Sequence, residues 1–139
     1  MAACFLDSSA LTKLYHEEAG AAVLGAATTI LISRLSVVEV QSAFAGKFRT
    51  SVISAADAAG LRRRFLEDIA SGTLRVAGLT SEHYEQAGEL IERYGPGHGL
   101  RTLDFLQLAV ALSMRTDPGN PTVPAASIHV AQFRLTPSE

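Results

Sequence analysis

Five uncharged residues, Ala2-Ala3-Cys4-Phe5-Leu6, run directly into Asp7-Ser8-Ser9, three residues of the types that cap helices. A short apolar run that stops at capping residues reads as a buried strand handing over to a helix, with Asp7 at the strand's carboxyl end. Leu11, Leu14 and Tyr15 continue with helical spacing, small residues fill 19–27, and Ile30-Leu31-Ile32 is β-rich enough for a second strand. The chain therefore begins strand, helix, strand.

The alternation continues. Val37, Val40, Phe44 and Phe48 recur at steps of three and four, which predicts a helix from Leu35 to Phe48. Their apolar face is a candidate for the chain's own core or for contact with a partner. Ser54-Ala55-Ala56-Asp57 has the form of a capping box and opens another helix that Gly72 can close. Leu74 to Ala77 reads as a third strand. Ser81 then caps a helix whose face runs Tyr84, Ala87, Ile91 and Tyr94 until Gly95-Pro96-Gly97 ends it. Thr102 to Met114 is almost wholly apolar apart from Asp104 and Gln107 and predicts a helix buried on most sides. A loop follows at 117–121, and the remainder has room for one more short strand. Strands alternating with helices imply an α/β fold, a mainly parallel sheet flanked by helices, in a single domain over residues 1–139.

Charge narrows the function classes. Twelve Lys plus Arg against fourteen Asp plus Glu give a formal net charge of -2, so contact with RNA or DNA must use a local patch. The single cysteine, Cys4, cannot form an internal disulfide, and no Cys/His cluster suits structural zinc. The opening residues leave no room for a signal peptide, and the charge-free stretch 19–33 is too short and too interrupted to span a bilayer. A cytoplasmic protein without a membrane segment is expected.

Asp7, Glu39 and Asp104 stand out because their neighbours are small or apolar. Glu39 shares its helical face with Leu35, Ser36, Ser42 and Ala43, and Asp104 is followed on its own stripe by Gln107, Leu108 and Ala111. Three carboxylates facing one crevice would repel each other unless a cation offset them, and hard oxygen donors favour magnesium or manganese over zinc. Each acid also has a structural reading: Asp7 as a helix cap, Asp104 as a first-turn acid facing the helix dipole, Glu39 as a partly exposed helical residue. Spacing alone leaves both readings open.

Phe5-Leu6-Asp7-Ser8-Ser9-Ala10-Leu11-Thr12-Lys13-Leu14-Tyr15 resembles the opening of PIN-domain ribonucleases of the VapC toxin type. Ser33-Arg34-Leu35-Ser36-Val37-Val38-Glu39-Val40 is similar to their second acidic segment. Leu100-Arg101-Thr102-Leu103-Asp104-Phe105-Leu106-Gln107 resembles their third, with Gln107 where the family commonly has His. The resemblance runs from position 4 to about 127 in the right order. It implies a PIN-like three-layer sandwich, and it maps Asp7, Glu39 and Asp104 onto a cluster that holds Mg2+ or Mn2+ to hydrolyse RNA. Ser8 and Thr102 would give hydrogen-bonding support. Ser127, in Val123-Pro124-Ala125-Ala126-Ser127, stands where the family has a further Asp, which implies one carboxylate fewer.

The resemblance further implies a toxin restrained by a cognate antitoxin, with a homodimer as the expected assembly. The alternative is a catalytically degenerate PIN-like module that binds an antitoxin or RNA without cleavage. Lys13, a turn and a half beyond Asp7, is a candidate phosphate contact or simply a solvated lysine. Arg62-Arg63-Arg64 fan around a helix and read as a solvated face. No Ser/His/Asp arrangement or GxSxG elbow competes.

Overall fold

A computed structural model of the chain describes residues 2–16, 27–97, 99–115 and 128–130. The elements are β1 (Ala2–Leu6), α1 (Ser8–His16), β2 (Ala27–Ser33), α2 (Arg34–Arg49), α3 (Ala55–Ala70), β3 (Leu74–Ala77), α4 (Ser81–Tyr94), a 3-10 turn at Gly95–Gly97, α5 (Thr102–Met114) and β4 (Ile128–His129). The four strands form one parallel sheet in the order β3-β2-β1-β4. The chain steps outward from β1 to β2 to β3 and then returns to the other side of β1. The reversal lies between β1 and β4, and open α/β sheets bind ligands in the crevice outside the strand carboxyl ends at such a point.

Both faces of the sheet are covered, which is why its strands read as apolar runs rather than as alternating patterns. Ala3, Phe5 and Leu31 point to one side and pack with Ala87 and Leu90 of α4 and the apolar residues of α5. Cys4, Leu6, Ile30 and Ile32 point to the other, against Leu11 and Tyr15 of α1, Val40 and Phe44 of α2 and Phe65 of α3. This is the expected three-layer sandwich. Tyr15, Phe44 and Phe65 meet edge to face, with ring centroids 5.6 to 6.4 Å apart, and tie α1, α2 and α3 together. The Tyr15 hydroxyl donates to the Asp68 carboxylate. Burial first, then that bond, raises the phenol's pKa well above its ordinary value.

Local chemistry explains the element ends. The Ser54 hydroxyl accepts from the Asp57 N–H at 3.0 Å, as the capping sequence implies, and Gly72 follows α3 with a φ of 83° that a side chain would resist. Two readings need correction. Thr80 rather than Ser81 is the cap residue of α4, because the His83 ring accepts the Thr80 N–H at 3.0 Å. On α4, Ala87 and Leu90 are buried while Tyr84 and Ile91 are exposed, so the inward stripe is rotated from the one that large side chains suggested. Of the two readings open for the α2 apolar face, Val40 and Phe44 take the core, and Phe48, 50% exposed, remains outward. Arg62, Arg63 and Arg64 do fan apart, to Gln41, Glu67 and the Tyr15 ring respectively. Among the described residues no helix is long and apolar enough to cross a membrane. The loop read at 117–121 lies outside the described residues.

Candidate active site

Asp7 leaves β1 at the crevice and is 3% exposed. Its Oδ1 accepts the Ala10 N–H at 2.9 Å and its carbonyl accepts the Leu11 N–H at 3.0 Å, so it also caps α1. The cap fixes the direction in which α1 departs and turns the next side chain, Ser8, toward α2.

There the Ser8 hydroxyl donates to Glu39 Oε1 at 2.9 Å and lies 3.3 Å from the Ser36 hydroxyl. Ser36 and Glu39 share a face of α2, three residues apart. Gln107 enters from α5 and joins the set. Its Oε1 accepts from the Ser33 hydroxyl at 2.7 Å, at the carboxyl end of β2. That bond sets the amide so that Nε2 faces Ser36 at 2.9 Å, Ser8 at 3.1 Å and Glu39 Oε1 at 3.2 Å. Two N–H groups serve three acceptors through shared bonds. Ser33 and Ser36 are fully buried and Gln107 is 2% exposed, so the network is a polar core under the crevice and every group in it needs its partner.

Asp104 begins α5 one turn before Gln107, on the same face. Its Oδ2 accepts the Arg101 N–H at 2.9 Å, the capping role that a first-turn acid suggests. Thr102 is exposed and lines a separate recess with Leu100, Arg101 and Phe105. Lys13 is exposed and shares a groove of about 370 Å³ with Ser8, Glu39 and Lys47. Ser127 lies outside the described residues; it precedes β4, whose His129 pairs with Leu6.

Of the residues the sequence singles out, Ser8 and Glu39 are joined by a direct bond, while the central place of Gln107 in the network and the parts of Ser36 and Lys47 were not foreseen. The signal for Gln107 was available: one amide inside an otherwise apolar helical run must find partners when buried.

The donor chemistry suits a hard divalent ion, since the crevice offers carboxylate oxygens and hydroxyls without a thiolate. Among the described residues, however, no group of three or more His, Cys, Asp or Glu side chains is gathered closely enough to hold a metal ion. Asp7 and Glu39 flank Ser8 from two elements, while Asp104, one turn before Gln107 on α5, is bonded to the Arg101 N–H.

Comparison with known proteins bears on this arrangement. The family model of the PIN domain matches residues 4–117. Comparison with curated proteins yields no match. Among solved structures, a chain of a toxin-antitoxin complex from Klebsiella pneumoniae is similar, with a TM-score of 0.57 over 86% of this chain and 96% of that one. At 18% sequence identity that likeness speaks for the fold.

Proposed function

We propose that this chain, which belongs to the PIN domain family, is a metal-dependent endoribonuclease and the toxin of a toxin-antitoxin pair. PIN domains are generally nucleases that use divalent metals, and the structurally similar chain comes from a toxin-antitoxin complex. The observation that carries the reading is the placement of Asp7 and Glu39 on either side of Ser8 at the sheet's topological switch point.

In this reading Asp7, Glu39 and Asp104 would hold a magnesium or manganese ion, which when bound orients and acidifies a water and offsets charge on phosphoryl oxygens. The chain's own groups prepare the site. Ser8 and Gln107 both donate to Glu39 Oε1, fixing the direction of the carboxylate before substrate arrives. The Ser8 hydroxyl, turned to Glu39, acts as a support rather than as a nucleophile. A cytoplasmic setting, a homodimer and an antitoxin partner belong to the same proposal.

A second reading, a module that binds RNA or an antitoxin without cleavage, is favoured by one observation: helix capping already accounts for Asp7 and Asp104. Cleavage of an RNA by purified protein separates the two. Cleavage that requires Mg2+ or Mn2+ and falls about a thousandfold in Asp104→Asn is expected, a loss of several kcal/mol of transition-state stabilisation. Cleavage that persists in excess chelator overturns the metal-dependent reading. Expression alone should arrest growth and Asp7→Asn should relieve the arrest; robust growth with abundant wild-type protein favours the second reading.

A further inference from the structure

The groove beside Glu39 contains more than the carboxylate site requires. It runs between α1, which contributes Ser8, Ser9 and Lys13, and α2, which contributes Glu39, Ala43 and Lys47. Glu39, Ala43 and Lys47 stand at i, i+4 and i+8, one stripe of a helix, so Lys47 lies about 12 Å along the axis from Glu39. The methyl group of Ala43 between them leaves the floor of the groove open.

Among the described residues neither lysine has a carboxylate partner. The ion pair found among the described residues is Arg63–Glu67, outside this groove, and Glu39, the one acid among the described residues that line it, is held by Ser8 and Gln107. Lys13 is exposed but Lys47 is half-buried. A half-buried ammonium gives up some of its hydration and gains most from an arriving anion. The whole chain, at a formal net charge of -2, does not draw a polyanion by its average field. Attraction must come from a local patch, and here one sits beside the carboxylates with the Ser9 hydroxyl exposed along its edge.

We propose that Lys13 and Lys47 form a backbone subsite for single-stranded RNA, holding a phosphate that neighbours the one at Asp7 and Glu39. The assignment of RNA as the occupant rests on the nuclease reading; the presence of an anion subsite rests on the groove. Binding there is to phosphate and carries no base preference of its own.

The test is fluorescence-polarisation binding of a short unstructured labelled RNA in EDTA, where binding is read apart from cleavage, across a series of salt concentrations. Lys13→Ala and Lys47→Ala should each weaken binding roughly five- to tenfold and reduce the slope of log K against log salt by about 0.7, the value for one phosphate contact on a single strand. Lys47→Arg should retain both, and Arg63→Ala, which lines a different recess, should change neither. Unchanged affinity and slope in both lysine variants overturns the subsite, as does absence of wild-type binding. In a parallel titration with labelled polyglutamate, wild-type binding that both lysine variants lose while their RNA binding stays intact overturns it in favour of an acidic peptide. If the slopes fall as expected while the wild type cleaves nothing with either metal, the nuclease reading fails and the subsite stands. If the slopes hold while the wild type cleaves, the reverse is true.

Discussion

Replacing Gln107 by Met keeps a side chain of similar length and flexibility while removing the amide on which the polar core depends. The fully buried Ser33 hydroxyl then loses its acceptor at 2.7 Å. Ser36 loses a donor at 2.9 Å and keeps only its 3.3 Å contact with Ser8, while Ser8 keeps Glu39 at 2.9 Å. One hydroxyl is thus orphaned outright and another in part. A buried polar group left unpaired costs about 1–3 kcal/mol, and the greater burial preference of Met returns up to about 1 kcal/mol. The expected net loss is about 2–3 kcal/mol. For a domain of this size that leaves the protein folded and lowers the urea midpoint by roughly 1–1.5 M. A double-mutant cycle isolates the cause. Ser33→Ala alone orphans Gln107 Oε1, but in the Met background it removes a hydroxyl that already lacks a partner, so a coupling energy of about 1–2 kcal/mol is expected. Strict additivity, or a loss below about 0.5 kcal/mol for Gln107→Met, would refute the view that this amide organises the site.

Asp7→Asn should change thermal stability little, because Asn caps a helix about as well as Asp, yet it should lower RNA cleavage about a thousandfold; matched melting curves and cleavage rates read the two roles apart. Phe65→Ala removes the ring against which both Tyr15 and Phe44 pack and should cost about 3–5 kcal/mol, measured by urea unfolding. The Tyr15 phenol has a folded pKa above its unfolded value of about 10, so its contribution is complete below pH 10 and is lost as pH rises toward the folded value. Tyr15→Phe should therefore be less stable than wild type at pH 8 and show a flatter decline by pH 11.

The fold was legible because strand and helix periods alternate cleanly and because Ser54 and Gly72 mark their ends with residues chosen for capping and for positive φ. The site was legible only in its components. Asp7 announces itself at a strand end, and the family resemblance names Glu39 and Asp104. Which atoms meet is a matter of long-range packing: Ser33, Ser36 and Gln107 are joined by hydrogen bonds spanning 71 and 74 positions, a relation no local pattern encodes. The stripe on α4 was misjudged for a related reason. Size favoured Tyr84 and Ile91, whereas the tight contact with α5 selects Ala87 and Leu90.

The bond between Gln107 and Ser8 closes a loop of 99 positions, and that separation has a meaning for the order of events during synthesis. At about 5–20 residues per second, the ribosome adds Gln107 roughly 3 to 14 seconds after Glu39. Until α5 is made and docks, Glu39 has no second donor and Ser33 no acceptor, so the crevice cannot take its final form. Asp7 and Glu39 are thus made early and locked late, and a prematurely terminated chain that ends before α5 lacks both Gln107, which locks Glu39, and Asp104.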